Sequence, residues 1–334
     1  MAKFTPMINA TATAKASSAF HQLAACSQAA APVPAITGAI AFGSVRGRAP
    51  ATHCAKLATR RSLHGAVHSA LADNAYMLGV IGGSGFYTFF DSDARTVNLD
   101  TPFGVPSAPV TVGLVGQHEV AFLPRHGPDH QYPAHKVPYR ANMWALRALG
   151  VRQVFAPCAV GSLTPDFEPG AIVVPDQLVD RTRRRADTYF DTGAAHASFA
   201  DPYCPTLRSA VTGLPGVVDG ATMVVIEGPR FSTRAESRWF AAAGFTLINM
   251  TGYPEAVLAR ELEICYATIA LVTDLDAGID AGAGVKVVDV IGEFEKNIEP
   301  FKKLVREAIG QVAAEHTCTE CLSHSGIQLP FDQP

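Results

Sequence analysis

Five apolar runs in this chain end on residues that bind anions or move protons. The run Met77–Ile81 breaks into Gly82-Gly83-Ser84-Gly85, and "VAFLP" ends at Arg125-His126. "VFAPCA" leads into Cys158-Ala159-Val160-Gly161-Ser162, "TLINM" ends at Met250-Thr251, and "IALVT" ends at Asp274-Leu275-Asp276. Glycines after a strand let the backbone turn tightly and aim N–H groups at one point, which suits an anion. Arginine is always charged and presents a planar fork that matches phosphate oxygens. An aspartate at a buried strand end has its pKa raised by desolvation and can hand over a proton near neutrality. Gathered at one end of a sheet, these groups predict a pocket for a tetrahedral oxyanion with an acid beside it.

Each piece also has a structural reading. Arg125 could pair with an acid, His126 could be a core histidine with its hydrogen bonds satisfied, and Asp274 and Asp276 could solvate the turn "DAGIDAGAG". Two common nucleotide motifs fail on spacing. No lysine follows Gly85 as a P-loop requires, and the glycines do not fit G-x-G-x-x-G opening a helix. No third carboxylate or histidine accompanies Asp274 and Asp276, so no metal is expected there. The seven cysteines give no secreted disulfide framework. Only Cys318 and Cys321 form a C-x-x-C, flanked by His316 and His324. With those histidines zinc is conceivable, but structural zinc takes four ligands and a single C-x-x-C is a weak signal, so the preferred reading is a tail dithiol or no role, with no metal assigned.

These residues need elements to position them. "APVTVGLVG" and "HEVAFLPRHG" read as a β-hairpin, "VRQVFAPCAVGSL" and "GAIVVPDQLVD" as buried strands, and "ATMVVIEGPRF", "FTLINM" and "CYATIALVTDLDAG" as further strands. "YRANMWALRALG" carries helical spacing and stops at Gly150; "STRAESRWFAAAG" starts at Ser/Thr and ends at glycine; "YPEAVLARELE" has Pro254 in its first turn. A charged amphipathic helix is predicted over about 286–314. Alternating strands and helices imply an α/β sheet with helices on both faces.

The chain has 334 residues, 48% hydrophobic and 17% charged, with net charge −3, which argues for a buried α/β enzyme and against a nucleic-acid binder or a disordered chain. No run is long enough to span a membrane. With no internal repeat and no second core, residues 77–334 read as one domain. Residues 1–72 hold seven Lys/Arg and no Asp or Glu. Residues 1–76 therefore read as a disordered leader, either an organellar transit peptide or sequence upstream of a natural start at Met77. The second reading implies a cytoplasmic protein, the first an organellar one.

The motifs "DTPFG", "RHGPDHQYPAHKVPYRANMWALRALG", "EGPRFSTRAES", "INMTGYPEAVLARE" and "TDLDAG", in this order and spacing, closely resemble the methylthioadenosine phosphorylase branch of the trimeric purine nucleoside phosphorylases. The resemblance runs from about Met77 to the C-terminus. It implies a single α/β domain around a mixed, distorted central sheet flanked by helices, assembled as a homotrimer. It implies phosphorolysis of a purine nucleoside, with inorganic phosphate as co-substrate and neither metal nor organic cofactor. Nucleic acid and membrane are not implied as partners.

Carried over by motif position, Ser84, Arg125, His126, the Cys158–Ala159 segment and Thr251 would bind phosphate. Phe231 would lie against the purine and Met250 under the ribose. The Asp274-Leu275-Asp276 stretch would face the base, Asp274 at N7 and Asp276 with it at the exocyclic amine, as the catalytic acids. His196 would reach the 5′-substituent of a neighbouring subunit, and the tail "GIQLPF" would close over that region. Ser232, where the 6-oxopurine branch has glutamate, and Val287, matched to the 5′-pocket, would set specificity for 6-amino bases and a methylthio group. The sequence departs from the family pattern at Cys158, where a threonine is usual, in "AGIDAGAG" after Asp276, and in the wider cysteine pair of the tail. A phosphorylase for 6-oxopurine nucleosides is the alternative enzyme. An NAD-dependent oxidoreductase would rest on the glycine loop alone, and a non-catalytic nucleotide-binding module would need a strand-end residue to be missing.

Overall fold

The computed structural model describes residues 76–90, 94–193, 196–280 and 284–313, together with 282, 318, 319 and 321. The chain divides into units Met1–Ala66 and Val67–Pro334, and every described residue lies in the second. Its strands are β1 (Met77–Gly82), β2 (Arg95–Val97), β3 (Val110–Val115), β4 (His118–Pro124), β5 (Val151–Ser162), β6 (Ile172–Val174), β7 (Gln177–Arg181), β8 (Val217–Asp219), β9 (Thr222–Ile226), β10 (Leu247–Asn249) and β11 (Cys265–Leu275). Its α-helices are α1 (Tyr139–Ala148), α2 (Pro205–Thr212), α3 (Arg234–Ala242), α4 (Gly252–Glu261) and α5 (Val287–Gly310).

Among the described residues the strands form one mixed sheet, ordered β2-β3-β4-β1-β5-β10-β9-β7, with β11 also on β5, β6 on β11 and β8 on β6. The predicted hairpin is β3–β4, antiparallel with Val115 opposite His118. Alternation sends Met77 and Ile81 of β1 to one face and Leu78 and Val80 to the other. Helices α1 and α4 contribute Met143, Leu146, Leu258 and Ala259 to the first core. Helices α2 and α5 contribute Leu207, Phe294, Phe301, Val305 and Ala308 to the second. Each of the larger side chains among these (Leu, Met, Val, Phe), fully removed from water, contributes roughly 1.5–3 kcal/mol. The predicted sheet with helices on both faces is what the chain builds.

Several elements differ in detail. "GAIVVPDQLVD" is two strands, not one. Pro175 has no N–H for a ladder, and the next two N–H groups, of Asp176 and Gln177, both turn to the carbonyl of Ala221. The break sends β6 to β11 and β7 to β9. Strands β2 and β8 and helix α2 carry too short an apolar pattern to read from sequence. Helix α3 starts as predicted, with a capping box in which Thr233 Oγ1 accepts from the Glu236 N–H and Glu236 accepts from the Thr233 N–H.

The central feature is strand β5. Its first half runs parallel to β1 as far as Phe155 opposite Val80, and its last two residues pair antiparallel with β10. Between these pairings the sheet opens on one side of β5, and Pro157, which has no N–H, lies at the opening. The carboxyl ends of β1, β4 and β5 face the opening, where α/β sheets hold ligands.

Candidate active site

Arg125 fills the cleft between β1 and β5. Its Nη2 donates to the Ile81 carbonyl of β1 (3.1 Å), and its Nη1 donates to the Pro157 carbonyl of β5 (3.3 Å). Its fork grips Glu255 of α4, with Nε to Oε1 at 2.5 Å and Nη2 to Oε2 at 2.9 Å. Both side chains are completely buried, and the Tyr266 hydroxyl also donates to Glu255 (2.9 Å). Four of the five guanidinium N–H groups are therefore held by the protein, and one on Nη1 remains. The expected two-pronged grip on phosphate is thus corrected: the fork belongs to Glu255, and a ligand can receive one N–H. A side chain on Gly83 would meet Arg125 Nη1 at 2.8 Å, so the glycine leaves that edge open.

The glycine loop lies on the same wall as Arg125. The Gly83 N–H donates to Pro157 O (3.2 Å), and Gly85 adopts φ +77, a conformation that favours glycine. Among the described residues no acceptor takes the N–H of Ser84 or Gly85. Across the cleft, β5 presents alternate peptide groups. Those of Pro157 and Ala159 point away from β11, since their carbonyls take Gly83, Arg125 and, at 3.0 Å, Asn249 Nδ2. That leaves the Ala159 N–H for a ligand and turns the Cys158 peptide toward β11. Burial pushes the Cys158 thiol up to about 12, so it stays protonated.

Asn249 was not singled out from the sequence. Its Oδ1 collects the N–H of Thr251 (2.6 Å), the N–H of Gly252 (2.7 Å) and the Thr251 hydroxyl (3.3 Å), which fixes Thr251 at the start of α4.

His126 Nδ1 lies 2.8 Å from the Tyr132 carbonyl, so the proton sits on Nδ1 and Nε2 is an acceptor. Burial first, then the adjacent Arg125 charge, lowers its pKa to about 4. The imidazole is neutral at pH 7 and stacks on His130 with ring centroids 4.4 Å apart. With Arg125 paired to Glu255 and His126 uncharged, what this wall can offer an anion is directed N–H dipoles rather than an excess of positive charge.

The opposite wall carries the acids. Asp274 Oδ1 lies 2.8 Å from the Thr273 hydroxyl. Burial lifts its pKa to about 6 against the pull of that hydrogen bond, and Asp276 adds repulsion. Asp276 is buried, and its Oδ2 accepts from Ser237 of α3 at 2.5 Å. Any side chain on Gly161 would meet Ile248 at 2.9 Å and Asp274 Oδ2 at 3.2 Å, so this glycine gives the carboxylates their place against β5.

One cavity of roughly 400 Å³ is lined by Ser84, Arg125, His126, Cys158, Ala159, Phe231, Ser232, Met250, Thr251, Asp274, Asp276 and Val287. The chain folds so that residues 84 and 287, some two hundred positions apart, share it. Two predicted residues lie elsewhere. Leu275 alternates away from its acidic neighbours and does not line the cavity, and His196 is exposed outside it. The tail "GIQLPF" lies outside the described residues.

A family model described as the phosphorylase superfamily matches residues 77–310. The chain belongs to this superfamily. S-methyl-5′-thioadenosine phosphorylase of Mycolicibacterium smegmatis is 76% identical over 258 residues, covering 77% of this chain and 100% of that one. A purine nucleoside phosphorylase of Streptomyces coelicolor is 51% identical over 251 residues, covering 71% of this chain and 89% of that one. Among solved structures, methylthioadenosine phosphorylase from Schistosoma mansoni in complex with adenine aligns with TM-score 0.71 and 34% identity, over 75% of this chain and 96% of that one. Glu255, Asn249, Gly161 and Ser237 are the superfamily member's positioning residues that sequence reading missed. Glu255 and Asn249 stand inside the quoted motif "INMTGYPEAVLARE", and Ser237 closes "EGPRFSTRAES", but nothing in the spacing says what they hold.

Proposed function

We propose that the protein phosphorolyses S-methyl-5′-thioadenosine to adenine and 5-methylthioribose 1-phosphate. The observation that carries this reading is one cavity that has N–H donors on one wall and a proton-holding aspartate on the other. The 76% identical relative bears the name of that activity. Inorganic phosphate is the co-substrate, and the reaction calls for no cofactor.

Phosphate sits between the Ser84–Gly85 loop, the free Arg125 N–H, the Ala159 N–H and Thr251. A protonated phosphate oxygen donates its hydrogen to His126 Nε2, which orients the nucleophile. Met250 lies under the ribose and Phe231 against the purine. As phosphate attacks C1′ and the glycosidic bond breaks, the sugar gains oxocarbenium character that the phosphate charge stabilises. A purine anion leaves poorly, and Asp274 in its acid form donates to N7. Asp276, held by Ser237, keeps the base edge in register.

Base choice follows from the same wall. The Ser232 hydroxyl is buried with no partner among the described residues, and it can donate to N1 of a 6-aminopurine. Its unsatisfied state costs about 1–3 kcal/mol until a base supplies the acceptor. The Streptomyces coelicolor relative is named a purine nucleoside phosphorylase, so a second reading is kept, phosphorolysis of 6-oxopurine nucleosides. Comparing kcat/KM for methylthioadenosine, adenosine, inosine and methylthioinosine decides between them. The 6-amino substrates should lead, with methylthioadenosine first; a preference for inosine or methylthioinosine overturns the base assignment.

The assembly is a trimer in which His196 reaches a neighbouring subunit's 5′-group. Val287, Val288 and Ile291 expose apolar surface beside the cavity on α5, which an adjoining subunit or the methylthio group would cover. Residues 77–334 form the catalytic unit, and removal of 1–76 leaves activity intact.

A further inference from the structure

Four cysteines that are dispersed in sequence meet in the core. Cys204 precedes the first turn of α2, Cys265 opens β11, and Cys318 and Cys321 follow α5. Their sulfurs all lie within 4.8 Å of one another, and all four side chains are buried. Cys204 Sγ and Cys318 Sγ are 3.7 Å apart. Four sulfurs about 2.3 Å from a central Zn²⁺ stand about 3.8 Å from each other at the corners of a tetrahedron, whereas a disulfide brings two to about 2.05 Å. The Cys204–Cys318 separation matches the tetrahedron edge, and the 4.8 Å bound on the other pairs keeps all four sulfurs within reach of one ion. None of the four is disulfide-bonded.

We propose that Cys204, Cys265, Cys318 and Cys321 bind one structural Zn²⁺, which ties the chain beyond α5 to the start of β11. An all-thiolate tetrahedral set selects zinc or iron, and sulfurs this close leave no room for a multi-iron cluster. Four protein ligands close the coordination shell, so the ion has no position for a substrate. Its place agrees with that. Cys265 begins β11 and Asp274 stands nine residues further along the strand, about 30 Å away at strand rise. Binding releases the thiol protons and leaves the sulfurs' charge shared with the dication. By itself the pair Cys318-x-x-Cys321 supplies two of the four ligands that structural zinc takes. The fold supplies the other two, Cys204 from just before α2 and Cys265 from the start of β11.

The test is metal content of the full chain purified without chelator from zinc-supplemented medium. Elemental analysis should give about one zinc per chain, released when a mercurial titrates the thiols. Cys318→Ser and Cys321→Ser should each lower it to below about a tenth, while Cys26→Ser in the leader keeps it. Should those variants fail to fold, replacing zinc with Co²⁺ in the unmutated protein gives an independent readout. The intense visible and near-ultraviolet bands of tetrahedral cobalt thiolate support the site. A metal-free folded protein, with four free thiols or with disulfides found by mass spectrometry without reduction, overturns it. Stoichiometric iron in place of zinc overturns the assignment of the ion.

Discussion

Substituting Asp274 by Asn removes one titrating proton from a buried wall and nothing of its shape. The folded-state pKa is raised from 3.8 to about 6, first by burial and then by Asp276, against the Thr273 hydrogen bond. Between the two values the folded state holds more protons than the unfolded one, so stability falls as pH rises. The contribution of Asp274 is full below about pH 3.8 and is lost through about pH 6, an ionisation cost of about 3 kcal/mol at neutrality. Asparagine does not titrate. The stability of Asp274→Asn relative to the parent should therefore rise by about 2 kcal/mol between about pH 4.5 and 7.5. For a domain of this size that is a gain of about 4–8 °C in relative Tm, read by calorimetry in matched buffers. Constant effects of the amide cancel in the comparison. The same variant should lose about 10²- to 10⁴-fold in kcat for methylthioadenosine, the worth of a general acid. It should also lack the alkaline fall in rate that the parent shows. A Tm difference independent of pH would refute the desolvated-acid reasoning, and unchanged kcat would refute the proton-donor role.

Arg125→Ala should lower Tm by about 6–20 °C, since a buried Glu255 left unpaired costs about 3–5 kcal/mol. The double variant Arg125→Met/Glu255→Gln should recover most of that Tm by calorimetry and still show phosphate KM raised about 10- to 150-fold, with nucleoside KM little changed. Equal effects on both substrates would make Arg125 purely structural. His126→Asn should gain stability over the parent as pH falls from about 6.5 to 4, the reverse of Asp274, because a histidine with lowered pKa binds its proton more readily when unfolded; urea titrations across that range check it. Sedimentation should give a trimer, and His196→Ala should raise KM for methylthioadenosine more than for adenine in the reverse direction; a fully active monomer contradicts this.

The strand ends were legible because apolar runs stop abruptly at glycine, Arg-His or aspartate, and each stop marks where a strand leaves the core. The glycine loop, the two acids and the cap of α3 were readable for that reason. Arg125 reads from sequence as a fork for phosphate, whereas the fold gives that fork to a buried acid. Its partner Glu255 lies 130 residues away, and no local pattern announces a buried pair. His126 gave its identity but not its charge, which depends on burial and on the Tyr132 carbonyl. The split of "GAIVVPDQLVD" was signalled by Pro175 and overridden by the apolar residues on either side of it. Leu275 was included with its acidic neighbours although strand alternation turns it away. The four cysteines come from three separate stretches of chain, and only the fold shows that they meet.

Phosphate dependence of base release tests the central claim most directly. Methylthioadenosine is incubated with the full chain, with and without inorganic phosphate, and adenine is measured together with the phosphorus resonance of the products. Adenine should form only with phosphate present, one for each sugar 1-phosphate that appears. Adenine released at the same rate without phosphate, alongside free methylthioribose, would make the protein a hydrolase and contradict the proposal.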